Sequence, residues 1–413
     1  MTIEQLVALI IFITCFSLLM SRKIKIMYVS LVSALVLIVL GIVGPWQAIS
    51  KSINWDVLGI YWGFGMLAIV FSWSKVPTYI SFHIIKRAKR EKYAIFYLCA
   101  LAAFLSAFMP NPIVVMMLAP IAIEITRRLK SSLFVYLVAV AISSNIVTTV
   151  TMVADPPAII LAMKTGMKFF DFYWFQGKIG LGVISAVGAV AALLSLLLLF
   201  RNMNKEVKFR GEVLQLSYAP TMLFASGVLA LAFVPISPGI TSLCVGIVAL
   251  LIGRKMFKTM FKEFDWDSFF FVIGIFVVVS SLEITGLLGD FANWFLNLGI
   301  NDATVVLAIL VWVSVALSSF IDNVPYTLLM IPVCIKIAAG MGVSPFPFLF
   351  GMLIGTGIGG NITPVGATSN VIACGILEKH GYKINLKEYL KISLISTVIA
   401  VAAAHILLQI VWM

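Results

Sequence analysis

The sequence predicts an all-α polytopic membrane protein with an inverted-topology repeat: about ten transmembrane spans, two re-entrant hairpins and two broken helices. Three observations lead there. Hydrophobic residues make up 62% of the chain and charged residues 11%, where a soluble domain has roughly 45–50% and 25%. The apolar runs approach the roughly 20 residues needed to cross hydrocarbon, and the basic residues lie between them. Finally, the chain matches itself at a fixed shift of 212. This composition excludes a soluble enzyme, a disordered chain and a disulfide scaffold.

The net charge of +12 would suggest nucleic acid in a soluble protein. Here it is a topology signal. All of the 29 basic residues fall in six clusters beside apolar runs, except Lys51, Lys164, Lys168, Lys178 and Lys336. The clusters are Arg22–Lys25, Lys75–Lys92, Arg127–Lys130, Arg201–Arg210, Arg254–Lys262 and Lys379–Lys391. Placing them in the cytoplasm gives one consistent path with the N-terminus outside. The first run, Leu6–Met20, has Glu4 before it and its basic residues after it, the reverse of a cleavable signal peptide. It is expected to be retained as a span. The five cysteines lie in apolar runs and are expected to pack rather than pair.

Spans are predicted at about 6–20, 26–43, 55–74, 131–163 and 178–200, then 218–234, 238–253, 266–285, 346–377 and 392–412. Residues 93–126 do not fit a simple crossing, because basic clusters flank them on both sides. Their centre reads Met109-Pro110-Asn111-Pro112, a helix-breaking sequence. Each arm of about 15 residues makes roughly 22 Å of helix, too short for about 30 Å of hydrocarbon. The segment is therefore a predicted hairpin with Asn111 at its tip. A second interrupted segment, 303–337, has Asp322-Asn323-Val324-Pro325 at its centre and is expected to enter from the outside.

At the shift of 212, Leu105-Ser106 falls on Leu317-Ser318, Asn111 on Asn323, Pro120 on Pro332, Thr151 on Thr363 and Gly41 on Gly253. At 211, Trp55-Asp56 meets Trp266-Asp267. Apolar residues match by chance in such a chain; Asn, Pro, Gly and Trp do so much less. The predicted division is a first repeat over 1–200, a cytoplasmic linker over 201–217 and a second repeat over 218–413. Five spans per repeat is an odd number, so the second copy must be inverted. That architecture is typical of secondary transporters with a midplane site.

Two segments break the helical pattern at membrane depth and correspond at the same shift: Asn145 to Ala158 and Gly357 to Asn370. Irregular backbone in hydrocarbon is tolerated only around a cavity or a bound solute. Freed carbonyls ligate cations, and half-helix N-termini favour anions. Asp155 before Pro156-Pro157 reads as an N-cap or, equally, as a proton or cation carrier. Asp322 has the same two readings. Asn111 and Asn323 stand symmetrically at the two tips, as turn residues or ligands. Asp56 and Asp267 read as span-start caps, and His405 as a packed histidine. There is no Gly-x-x-x-x-Gly-Lys-Ser/Thr loop, no metal-ligand cluster and no nucleophile–histidine arrangement, so no enzyme activity and no cofactor is expected.

At these residues the chain resembles the ion transporter superfamily, which includes arsenite permeases, citrate and dicarboxylate carriers, the P-protein type and some Na⁺/H⁺ antiporters. The resemblance lies in Phe320-Ile-Asp-Asn-Val-Pro-Tyr-Thr-Leu-Leu-Met-Ile-Pro332, in Asp155-Pro-Pro157, in Gly359-Gly-Asn-Ile-Thr-Pro-Val-Gly-Ala367 and in Glu283-Ile-Thr-Gly-Leu-Leu288. It covers nearly the whole chain. It implies substrate and coupling ion held between hairpin tips and broken helices, and alternating access by a moving transport domain. The residues expected around the site are Asn111, Asn145, Thr148, Thr149, Thr151, Asp155, Asp322, Asn323, Gly359, Gly360, Asn361, Thr363, Thr368, Ser369 and Asn370. Na⁺ would be held at Asn111, Asn323, Thr151 and Thr363. Four positions depart from the family pattern: Pro110 where Asp is usual, Val147-Thr148 where Gly-Gly is usual, and Ala158 where Asn is usual. The two half-sites are therefore unequal.

The function expected is secondary active transport of a small oxyanion or carboxylate, or of arsenite, coupled to H⁺ or Na⁺ across a prokaryotic cytoplasmic membrane. A Na⁺/H⁺ antiporter and a pore subunit with an ATPase partner are the alternatives. Membrane lipid and the small-ion substrate are the expected partners, with a homodimer left open and nucleic acid excluded.

Overall fold

The computed structural model of the chain describes residues 1–21, 23–207 and 216–413. Arg22 and the middle of the 201–217 linker lie outside the described residues. Among the described residues, twenty α-helices form two series of ten. The first series is α1 Ile3–Ser21, α2 Ile26–Val39, α3 Pro45–Gln47, α4 Trp55–Trp73, α5 Val76–Ile85, α6 Glu91–Ser106, α7 Asn111–Leu129, α8 Leu133–Asn145, α9 Pro156–Thr165 and α10 Leu181–Leu199. The second is α11 Tyr218–Phe233, α12 Pro238–Ile252, α13 Phe257–Glu263, α14 Trp266–Ile284, α15 Leu287–Leu296, α16 Ala303–Ser318, α17 Asn323–Met341, α18 Phe346–Gly359, α19 Thr368–Lys379 and α20 Leu386–Trp412. From α2 to α9, each helix has a counterpart ten labels later that starts where the shift of 212 places it, to within a single position. Among the described residues the only strands are Trp174–Phe175 and Lys178–Ile179.

Packing follows the repeat but crosses between copies. Helix α4 packs on α12, and α14 on α2, so each copy's second helix lies against the other copy's fourth. Small residues permit these approaches: a Cβ at Gly63 would collide with the Ser242 carbonyl, and one at Gly274 with Ser30. The two ends are pinned differently. Asp56 accepts a hydrogen bond from Ser237 Oγ on the α4–α12 side, while Asp267 pairs with Lys25 at 3.3 Å on the α14–α2 side. Neither aspartate is the cap of its helix; Asn54 caps α4 by accepting from Val57 N, and Asp265 caps α14 by accepting from Ser268 N. Helices α6 and α8, α16 and α18, and α10 and α20 form the rest of the packed body.

The hairpin expected over 93–126 is α6 and α7. Its two legs return to one place, because the start of the linker touches both. Glu91 N and Lys92 N donate to Lys205 O and Met203 O, each at 2.9 Å. Lys205 Nζ donates to Leu129 O, Lys130 O and Ser131 Oγ at 2.9, 2.8 and 3.1 Å. All three ammonium donors are thus used on the carbonyl end of α7, where a cation complements the helix dipole. The second hairpin is α16 and α17. There the end of α17 comes back to α15: a Cβ at Gly340 would strike Leu296.

Of the described helices, six (α1, α4, α10, α14, α17 and α20) are each long and apolar enough to cross a membrane. Joining α12 to residues 254–263 across an 80° bend would make a seventh. The expected ten crossings are therefore not ten long helices. Helices α2, α11 and α12 have 14, 16 and 15 residues. The runs 131–163 and 346–377 are split into α8 and α9, and α18 and α19. Helix α17, though long enough, is a hairpin arm.

Candidate transport site

Four helix starts face one cavity of about 380 Å³. They belong to the two hairpin arms α7 and α17 and to the two half-helices α9 and α19. Residues of α4 (60–69) and α14 (268–272) form the opposite wall. The cavity thus lies between the α2–α4–α12–α14 group and the hairpin body. Proline, asparagine and glycine at the breaks put these starts here. Pro112 and Pro156 occupy first-turn positions, where the missing N–H costs no helical bond.

The N-cap residues of the four helices are Pro110, Asp322, Asp155 and Ala367. Asp322 stands where the other copy has Pro110, and Asp155 where the other copy has Ala367; both pairs correspond at the repeat shift of 212. Helix α9 packs against α17, and α7 against α19. The two acids therefore fall on one pair of facing helix starts, and the other pair has none. All four caps line the cavity. Asp322 accepts from Val324 N at 3.0 Å. Asp155 makes no side-chain cap bond. Pro156 and Pro157 carry no N–H, and Ala158 N already donates to the Asp155 backbone carbonyl at 3.1 Å. Its carboxylate has no helix donor to cap, so it is left to the cavity.

Of the residues expected at the site, Asn111, Asn145, Asp155, Asp322, Asn323, Thr368 and Ser369 line the cavity. The remaining eight stand behind this wall. Thr151 and Thr363 are symmetric fasteners. Thr151 Oγ1 donates to Ala107 O and Thr363 Oγ1 to Ser319 O, each joining a break to a hairpin tip. Each hydroxyl oxygen also accepts from the backbone N–H two residues on. Thr149 Oγ1 donates to Ser185 Oγ at 2.8 Å, and Thr148 lies against Gly357. Gly359 packs on the Val315 backbone, and Gly360 lies between Gly366 and Asn323. Asn361 and Asn370 are fully buried and bond to Asn145.

Sequence reasoning missed four lining residues with polar side chains: Tyr61, Glu263, Asp265 and Ser268. Glu263 and Asp265 precede α14 and bring the acids in the lining to four. Among the described lining residues there is no Lys, Arg or His. The signal available was the acid pair immediately before Trp266, just past a basic cluster.

The profile described as citrate transporter matches residues 16–355, well over half of the chain. The chain belongs to the citrate transporter family. It is 26% identical to an uncharacterized transporter of Mycobacterium tuberculosis, covering 98% of each chain. It is also 26% identical to an uncharacterized transporter of Synechocystis, covering 100% of this chain and 98% of that one. Human P protein is 24% identical over 86% of this chain and 53% of its own length, so the chain spans about half of that relative. Among solved structures, the YdaH transporter of Alcanivorax borkumensis and MtrF of Neisseria gonorrhoeae share the fold. Each has a TM-score of 0.52, at 13% and 12% identity, with 91% of this chain covered and 87% and 84% of theirs. The protein is thus a multi-pass membrane transporter of the citrate-transporter type, which agrees with the superfamily resemblance of its motifs.

Proposed function

We propose that this transporter is a secondary active carrier of a small anion, a carboxylate or oxyanion, coupled to H⁺ or Na⁺. The observation that carries the reading is the sorting of acids among the four helix starts. The α7 and α19 starts, capped by Pro110 and Ala367, form an acid-free pole. Two helix N-termini attract an anion there, each with up to about 2 kcal/mol in partly buried geometry. Thr368 adds a hydroxyl group at the same pole, while the Ser369 hydroxyl is donated to Asn145 Oδ1.

The α9 and α17 starts form the opposite pole, with Asp155 and Asp322. Two negative charges in a cavity without a positive side chain need a counter-cation, since an unpaired buried ion costs several kcal/mol. A coupling H⁺ or Na⁺ supplies it. Anion and cation then enter together, because each is poorly held without the other. The hairpin body carries both poles and α4 and α14 carry the facing wall, which supports alternating access by movement between the two groups. With the basic loops in the cytoplasm of a prokaryotic cell, Glu263 and Asp265 stand at the cytoplasmic mouth and the cavity faces inward.

The absence of basic groups from the described lining favours one second reading, a Na⁺/H⁺ antiporter using Asp155 and Asp322. Proteoliposomes separate the two. The carrier accumulates a labelled anion, citrate first, when a proton or sodium gradient is imposed, and Asp155→Asn abolishes the accumulation. An antiporter instead dissipates a pH gradient on addition of Na⁺, with no anion required.

A further inference from the structure

Helices α1 and α2 and their counterparts α11 and α12 differ at one contact. Helix α11 closes on its neighbours through Gly227: a Cβ there would stand 2.8 Å from side-chain atoms of both Leu67 and Val245. At the shift of 212, the first copy has Cys15 where the second has Gly227, and Ser33 where the second has Val245. Cys15 is buried, with its side chain against Ser33. A side chain where the other copy has none holds α1 off α2, and a groove of about 350 Å³ lies between them. It runs from Ile10 and Val36 at one end to Ile24 and Tyr28 at the other, and its lining is aliphatic apart from Thr14, Ser33 and Tyr28. Only Ala8, Cys15 and Leu19 of α1 are buried. The groove therefore lies on the outside of the helix bundle, open to hydrocarbon.

Length and charge name the occupant. From the connection between α1 and α2, the groove runs about 15 Å along each helix at 1.5 Å per residue. That is half of the roughly 30 Å of hydrocarbon, the depth of a single leaflet. The connection carries Lys23 and Lys25, where the one between α11 and α12 has Pro235 and Ser237. Lys23 is exposed, and the Lys25 side chain is 64% exposed even as it pairs with Asp267. Tyr28 is half-exposed, at the depth where tyrosine meets headgroups. Anionic lipid is concentrated in the cytoplasmic leaflet, and each lysine near that surface adds attraction. A second copy seated here by two-fold symmetry would bring its own lysines to the same end, so its charge does not fit. We propose that the groove binds an anionic phospholipid of the cytoplasmic leaflet, with one acyl chain between α1 and α2 and the headgroup phosphate on Lys23 and Lys25. The proposal goes beyond the transport reading and holds whatever the cargo; the two share only the placement of the basic loops in the cytoplasm. Through Lys25 and Asp267 the headgroup is tied to the start of α14, which forms part of the cavity wall.

The test titrates the purified full-length protein, in neutral detergent, with phosphatidylglycerol or with phosphatidylcholine of the same acyl chains. Native mass spectrometry reads the lipid retained. The first phosphatidylglycerol should bind about tenfold more tightly than phosphatidylcholine. The double variant Lys23→Ala/Lys25→Ala should lose that preference and bind phosphatidylcholine as before. Thr14→Trp fills the groove from α1 and should weaken both lipids about tenfold. Should Thr14→Trp fail to give a monodisperse protein, Val32→Trp fills the same groove from α2 and must show the same loss. Equal affinity of the wild type for the two lipids, a preference that survives loss of both lysines, or full binding by the tryptophan variant overturns the site. A wild-type dimer that Thr14→Trp dissociates also overturns it, by giving the groove to a second copy. No arm contains citrate or an ion gradient, so failure of the transport reading cannot imitate failure of the lipid site.

Discussion

The two hairpin tips are the same backbone written twice and wired differently. Asn111 and Asn323 each open the second arm of a hairpin at equivalent positions of the repeat, and each tip is fastened to its neighbouring break by a threonine hydroxyl on the equivalent carbonyl. At the second tip, Ser318 Oγ donates to Asn323 Oδ1 and Thr356 O. At the first, the equivalent Ser106 hydroxyl and the Asn111 oxygen are both buried without partners. The second tip satisfies itself; the first keeps its acceptors open. Duplication conserves register and packing, while hydrogen bonding and charge are free to diverge. In a two-fold scaffold the departures from symmetry are where a directional, two-ligand site is written.

The largest effect is expected from erasing the charge difference between the poles. Pro110→Asp gives the acid-free pole the residue its counterpart has at Asp322. A carboxylate at an N-cap stabilises a helix by about 0.5–2 kcal/mol, so the melting temperature should hold or rise. Anion uptake should nevertheless disappear, which separates a functional loss from a folding one. Unchanged uptake in proteoliposomes would remove the acid-free pole from the account.

A smaller, paired effect tests the wiring of the tips. Ser318→Ala breaks the bond to Asn323 and should cost about 1–3 kcal/mol. Ser106→Ala deletes a hydroxyl without a partner and should lie within about 0.5 kcal/mol of wild type. Thermal unfolding in detergent measures both; equal losses would mean that the tips are not differently wired. The next effect concerns the linker. Lys205→Met removes three donors from the carbonyl end of α7 and should cost about 1 kcal/mol. Hydrogen exchange should quicken at residues 127–131, with no change at the end of α17. The smallest effect is at the helix pins, where Lys25→Ala breaks an exposed ion pair and should cost at most about 0.5 kcal/mol.

Much of this was legible in the chain. Pro, Asn, Gly and Trp recur at one spacing, so the copies, the hairpin tips and the breaks could be read directly. The number of long crossings could not, because an apolar run such as 26–43 does not say where its helix stops, and α2 ends at Val39 after 14 residues. The sorting of acids was also out of reach: Asp155 and Asp322 lie in different copies, far apart along the chain, and only the packing of α9 on α17 puts them together. The role of the Asp155 side chain could have been anticipated, because two prolines after an N-cap leave it nothing to cap. Thr151 and Thr363 were expected as Na⁺ ligands, but a threonine in a break looks the same in sequence whether its hydroxyl faces a cavity or a neighbouring carbonyl.

The central claim is that one pole carries the coupling cation and the other the anion, and Asp322→Asn addresses it most directly. Asparagine caps a helix as well as aspartate, so the bond to Val324 N and the α17 start should survive while the charge is lost. Proteoliposomes containing this variant should still exchange labelled citrate for unlabelled citrate across the membrane, yet fail to accumulate it under either a proton or a sodium gradient. Accumulation equal to wild type under either gradient would contradict the account.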